Sequence, residues 1–388
     1  MKHLLNSIQL FLVGLSLFIY EQFSSAATST YVFGNTTTNY IAEAISVPQS
    51  GTNVFIAVTS FVKKDKTSGK FWLWEINQEG KKVQESLISM WPEHRAFSHS
   101  GGYIDALMIL SGETAFVVGS LELEGRSFVR VKTDGEVVFA KRISESRLSP
   151  TISGLVVTSE TNLLAIGFTS RDGFVRKIDL QGSNLWERTY DLGQGESFTD
   201  IVAMEKGGFM VVGCSESHTG MLDIGPSAVW MVKCDRNGNI LSEKVFPGRR
   251  PQIVQLDSGS YVVSYDKSSS PKGEYRIRSY TANMALLWDK QVVTVQEGAE
   301  PMGISAIPGG GFVVAGCVEF SLNYYQYDKQ GTLVNSVSFD PNNFELCNAR
   351  IAVFKEKVFI VLTSANETNE EVNEVKVVVI DLLQRNAQ

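Results

Sequence analysis

Cysteine is scarce: four in 388 residues, too few for a disulfide scaffold. There is no basic block either. With 35 basic against 42 acidic side chains the net charge is −7. Phosphate backbones are held by clustered Lys and Arg, so nucleic acid is not expected as a partner. Charged residues make up only 20% and hydrophobic ones 43%, a balance that buries a core and excludes disorder. Beyond the N-terminus no apolar run is long enough to span a bilayer; residues 375–383 are interrupted by Lys376 and Asp381, so no membrane span is expected after the leader. Linear catalytic signatures are missing as well. There is no G-x-S-x-G and no H-E-x-x-H, and Gly193-Gln194-Gly195 and Gly309-Gly310-Gly311 lack the Lys-Ser/Thr of a phosphate loop.

Lys2 and His3 precede an apolar run at residues 8–20, and Ser24-Ser25-Ala26-Ala27 then supplies the small side chains a signal peptidase needs beside its cut. Residues 1–27 read as a secretory signal peptide, and 28–388 as a secreted mature chain. A retained anchor is the rival reading of that segment. Export makes Asn35 and Asn366, each in an N-x-T sequon, candidate glycosylation sites in a eukaryotic source. Cys214, Cys234 and Cys317 lie in strand patterns and read as small buried hydrophobes. Cys317 with Cys347 is the one disulfide candidate.

What the sequence has in abundance is a repeat. An apolar strand, a Gly-rich turn, a Val/Phe strand, a polar loop, a third strand, an Asp/Asn-Gly turn and a fourth strand recur along the chain. The later turns centre on Gly80, Gly135, Gly182, Gly238, Asn283 and Gly331, at intervals of 55, 47, 56, 45 and 48 residues. Such turns need a residue tolerant of positive φ. Four short strands per ~50 residues is the pattern of a propeller blade. The expected fold is all-β: one seven-bladed β-propeller of four-stranded antiparallel blades. The blades fall at about 40–90, 104–143, 152–190, 198–246, 251–293, 301–339 and 348–382, the last lacking a fourth strand that residues 29–33 supply. Six or eight blades are the alternatives.

The pattern K-x-D-x-x-G-N-x-x-W, followed by a D-G-G-F/Y-x-x-x-G hairpin, resembles secreted β-propeller repeat proteins. It is represented here by Lys177, Asp179, Gly182 and Trp186, by Lys233, Asp235, Gly238 and Asn239, and by the hairpins at Gly207-Gly208-Phe209 and Gly310-Gly311-Phe312. The units are also distantly similar to quinoprotein propeller repeats, but the adjacent Cys pair of that cofactor apparatus is missing, and no cofactor is expected. The resemblance implies the fold and assigns no chemistry.

Trp74, Trp186, Trp230 and Trp288 recur at matching points of the repeat and are expected to fill the wedges between blades. His94 and His99, with Glu93, are weak metal candidates in a loop whose spacing matches no metal motif. Residues that open the innermost strands face the channel mouth: Asp105, Asp200 and Arg350, with Ser153 and Gly303 as neighbours. These acids are the basis of an alternative reading as an extracellular carbohydrate- or cofactor-active enzyme. The leading expectation is a non-enzymatic binding or structural scaffold at the cell exterior, recognising a protein or glycan through its blade loops, above all residues 61–70, 91–103 and 215–227. Oligomeric state cannot be read from the sequence.

Overall fold

The computed structural model describes residues 28–34, 38–48, 51–62, 65–88, 103–111, 114–121, 125–142, 150–169, 171–193, 195–216, 227–267, 272–296, 302–318, 321–339, 349–366 and 369–382. Residues 1–27, Asn35, His94, His99 and Cys347 lie outside them. A lone N-terminal strand, β1 (Thr28–Phe33), precedes the first blade. Blade 1 is β2 (Thr38–Ser46), β3 (Val54–Val62), β4 (Asp65–Ile76) and β5 (Lys82–Ile88). Blade 2 is β6 (Tyr103–Ser111), β7 (Thr114–Leu121), β8 (Gly125–Lys132) and β9 (Val137–Arg142). Blade 3 is β10 (Thr151–Val157), β11 (Leu163–Phe168), β12 (Gly173–Ile178) and β13 (Asn184–Tyr190). Blade 4 is β14 (Gly195–Ala203), β15 (Phe209–Glu216), β16 (Ala228–Cys234) and β17 (Ile240–Pro247). Blade 5 is β18 (Arg249–Gln255), β19 (Tyr261–Lys267), β20 (Lys272–Tyr280) and β21 (Leu286–Gln296). Blade 6 is β22 (Gly303–Ala306), β23 (Phe312–Val318), β24 (Ser321–Tyr327) and β25 (Leu333–Ser338). Blade 7 is β26 (Arg350–Phe354), β27 (Lys357–Asn366) and β28 (Asn369–Asp381), completed on its outer edge by β1.

All seven sheets are four-stranded and antiparallel within the described registers, and the first strand of each blade touches that of the next until β26 returns to β2. The ring is thus a seven-bladed β-propeller closed by the N-terminal strand, with Thr28 opposite Ile380 and Phe33 opposite Val375. Closure removes the edge that β28 would otherwise expose.

Second strands read as continuous apolar runs because both of their faces are covered; β23 is buried at every position. The core is divided into seven apolar clusters, one per seam. The tryptophans serve these seams. Trp74 and Trp230 are fully buried, while Trp186 stacks on Phe209 and Trp288 on Phe312, each across to the next blade.

Two expectations need correction. The outer turn of blade 5 is not centred on Asn283: Met284 takes the positive φ, 62°. Its side chain is buried in the seam with blade 4, where Ser242 Oγ lies 3.0 Å from its Sδ, and that burial offsets the strain of a left-handed non-glycine residue. The loop expected at residues 61–70 is mostly strand, because the β3–β4 hairpin continues to a Val62–Asp65 pair.

Candidate functional site

The innermost strands carry a recurrent bulge. Ladder register skips one residue at Glu43 in blade 1, Asp105 in blade 2, Ser153 in blade 3 and Thr199 in blade 4. Opposite it the second strand comes so close that a Cβ on Gly213 would lie 2.1 Å from Ser197 O, and one on Gly167 1.7 Å from Thr151 O. This explains the recurring second-strand glycines. The bulge residues tie blades together: Ser153 Oγ donates to Phe198 O in blade 4, and Thr199 Oγ1 donates to Pro251 O in blade 5 at 2.5 Å.

The residues expected at the channel mouth lie on these first strands. Asp200 follows the blade 4 bulge, and its carboxylate accepts two backbone N–H groups, from Ile201 and from Ile253 in blade 5, each at 2.8 Å. Gln252 occupies the same register position in blade 5 and accepts from Ile304 N in blade 6 at 3.2 Å. Arg350 Nε donates to Glu43 O across the closing seam at 3.1 Å. Burial pushes the Asp200 carboxyl up to about 6, against the lowering effect of its two N–H donors. Asp200 and Arg350 are therefore not brought together; they sit in blades 4 and 7, each holding its own next blade. Asp105 occupies the bulge position of blade 2, and Gly303 the Asp200 position of blade 6.

A second set of contacts runs around the periphery. Six blades carry an outer turn between their third and fourth strands, usually Asx-x-x-Gly. The Asp235 carboxylate, for example, accepts the N–H groups of Asn237 and Asn239, which hold it below the usual carboxylate range together with the Asn239 side chain, the largest contributor. Each turn leans on the preceding blade. Arg130 donates to Leu180 O, Arg188 to Asn237 O, Lys233 to Ala282 O and Lys290 to Gly331 O, while Gly80 packs on Tyr31. Beyond the turns, the fourth strands of blades 1 to 6 begin with exposed apolar side chains: Val83, Val138, Leu185, Leu241 and Leu287, each three residues past the turn residue of positive φ, and Leu333 in blade 6. Leu241 is 60% exposed.

Three carboxylates meet where blades 3 and 4 adjoin. Oxygen atoms of Asp172, Asp191 and Glu196 lie within 4.8 Å of one another, with Glu196 buried. Hard oxygen donors so placed suit a divalent cation, though Glu196 also has a hydroxyl partner in Ser215, 3.3 Å away. Cys317 is disulfide-bonded; Cys214, whose Sγ accepts from Arg250 N at 3.0 Å, and Cys234 are reduced thiols. Burial pushes the Cys234 thiol up to about 12. Asn366 ends β27 at the tip of the β27–β28 hairpin.

No family model and no curated protein matches the sequence. Solved structures do. The WD40 domain of Toxoplasma gondii coronin aligns over 93% of this chain and 89% of its own at a TM-score of 0.56 and 11% identity. A chain of the complex of Drosophila plexin A with semaphorin 1b aligns over 92% and 87% at 0.52 and 8%. The polysaccharide lyase Uly1 aligns over 88% and 90% at 0.52 and 10%. The likeness is one of fold. It spans the propeller from end to end and includes both a lyase and a protein caught in a complex, so activity has to be argued from this chain's own residues.

The sequence placed Asp105, Asp200 and Arg350 on first strands, where the structure has them, but carried no sign of the contacts of Asp200 and Arg350 with the next blade. Sequence reasoning missed the peripheral apolar band, whose signal was present: an apolar residue three positions after five of the turn residues. It also missed the Asp172, Asp191 and Glu196 cluster, which draws on three separate segments and leaves no linear motif.

Proposed function

We propose that the protein is an exported, non-enzymatic scaffold that binds another protein through the outer rim of its propeller. The observation that carries this reading is the periodic apolar band of Val83, Val138, Leu185, Leu241 and Leu287. Exposed apolar side chains scattered singly are ordinary, but the same position repeated on five neighbouring blades makes a surface suited to a protein partner. A glycan, the other ligand class suggested by the sequence, is served better by polar grooves than by a rim of Leu and Val. The enzyme alternative finds less support, since both N–H bonds of the Asp200 carboxylate serve the fold. Export rests on the leader at residues 1–27, and protein binding by a propeller has precedent in the plexin A complex.

The test is proximity labelling in the producing cell with the full chain and with a Leu185→Glu, Leu241→Glu, Leu287→Glu variant. The reading expects the labelled set to collapse in the variant while its melting temperature holds. An unchanged set would contradict it.

A further inference from the structure

Blade 5 breaks the repeat at the start of its first strand. In blades 2 to 4 an apolar residue just before the bulge faces a second-strand glycine: Ile104 and Gly119, Ile152 and Gly167, Phe198 and Gly213. Counted from where the register resumes at Gln252 and Ser264, blade 5 has Arg250 and Tyr265 at these positions. The Tyr265 ring is buried where the other blades have no side chain. Beside it the chain turns left-handed at Arg250, φ 52°, whose N–H donates to Cys214 Sγ of blade 4.

The neighbouring pair carries the departure further. In blades 1 to 4 Ile41 faces Thr59, Tyr103 faces Ser120, Thr151 faces Phe168 and Ser197 faces Cys214, all uncharged. Blade 5 has Arg249 opposite Asp266, with Nε donating to Oδ2 at 2.7 Å. The pair is lopsided. The Asp266 side chain is 3% exposed and that of Arg249 31%, and Asp266 Oδ1 is buried without a hydrogen-bond partner. Closing a seam does not require such a pair, since four blades manage with uncharged residues. Nor does it favour stability, because a buried carboxylate with one unmet oxygen recovers little of its desolvation cost. What the pair does provide is a fixed guanidinium. One of its five N–H groups is engaged by the buried carboxylate, on a side chain that remains one-third exposed. Arg250, next in the chain, adds a second positive charge.

We propose that Arg249 is an anion-binding residue that takes a carboxylate from an acidic segment of a partner protein, with Asp266 as its positioning residue. A guanidinium held at Nε keeps its terminal N–H groups as a parallel pair, which matches the two oxygens of a carboxylate. Charge points to the same class of ligand. Arg249 and Arg250 against Asp266 leave a single positive charge, which one carboxylate balances and a phosphate dianion overshoots. The proposal rests on reading the chain as a protein binder and names a contact on the first strand of blade 5, apart from the rim.

The test is fluorescence polarisation of a labelled hexaglutamate peptide titrated with the full secreted chain. Saturable binding is expected, with a hexaserine peptide inert. Arg249→Gln and Asp266→Asn should each weaken it about tenfold or more. Arg249→Lys, which keeps the charge without the paired N–H groups, should retain only part of the affinity. A double variant, Arg249→Ile with Asp266→Thr, installs the pair found in blade 1; it should keep the melting temperature and lose the binding. Absence of binding, or binding indifferent to Arg249→Gln, would overturn the site. A double variant that no longer folds would overturn it too, by making the pair structural. Displacement of the peptide by inorganic phosphate at concentrations where acetate has no effect would overturn the carboxylate assignment. Because the peptide test needs no cellular partner, its failure leaves the rim reading intact, and failure of the rim variant leaves the peptide result standing.

Discussion

Asp200 Oδ2 accepts the backbone N–H of Ile253 at 2.8 Å, so a carboxylate of blade 4 holds the innermost strand of blade 5. An acid near the start of an innermost strand invites a catalytic reading. Here its geometry is that of a strut, one of several side chains that fasten first strands around the ring.

Its raised pKa gives a signed prediction. The folded value of about 6 lies above the unfolded value of about 3.9, so between those limits the native state holds more protons than the unfolded chain. Stability from this group is therefore full below about pH 4, falls as pH rises towards 6, and is level above. The expected loss is about 3 kcal/mol, from ~1.4 kcal/mol per pKa unit. Asp179, Asp235 and Asp289 are shifted down and slope the other way, so the readout is the difference from Asp200→Asn. Urea unfolding from pH 4 to 7 should show that difference shrinking or reversing as pH rises. A constant difference would contradict the assignment.

Gly213 and Gly259 should respond differently to alanine. A Cβ at Gly213 meets Ser197 O at 2.1 Å, whereas Gly259 has nothing within 4 Å and only a positive φ of 77°. Gly213→Ala should cost about 3 kcal/mol and Gly259→Ala about 1–2 kcal/mol. Equal losses in chemical denaturation would argue against the bulge geometry.

Met284 sits at a left-handed position yet is fully buried. Met284→Gly relieves strain of about 1 kcal/mol but forfeits core packing worth about 2–5 kcal/mol. The variant should be less stable than the parent, and Asn283→Gly close to neutral. A stabilised Met284→Gly protein would show that the turn, not the seam, sets the residue there.

Closure by β1 can be locked covalently. Thr30 and Val378 face each other in the β1–β28 register. A Thr30→Cys, Val378→Cys pair should oxidise to a disulfide and raise the melting temperature, while Thr30→Cys with Val377→Cys, one residue out of register, should oxidise poorly. Equal oxidation of both pairs would contradict the register.

The fold was legible because its cause is periodic. Blades 1 to 6 each need a positive-φ residue in the outer turn and apolar side chains in the wedge, so glycines such as Gly80 and Gly135 recur every 45–56 residues and tryptophans such as Trp230 recur with them. Blade 5 slipped by one position because Met284 replaces the usual glycine and is held by tertiary burial, which no local pattern announces. The bulges were illegible for a related reason. Glu43, Asp105, Ser153 and Thr199 share a backbone offset but not a residue type, and only the glycine opposite three of them, at Gly119, Gly167 and Gly213, betrays them.

The most direct measurement is site-specific photo-crosslinking from the rim. A benzoylphenylalanine at Leu241, 60% exposed on β17, would be irradiated in the secreted protein in its native setting, with equivalent labels at Leu185 and Leu287. The account predicts a covalent adduct with the same protein from all three rim positions and none from a label at Gly259, which lies on an inner turn. No protein adduct from any rim position, with the protein intact and folded, would contradict the scaffold reading.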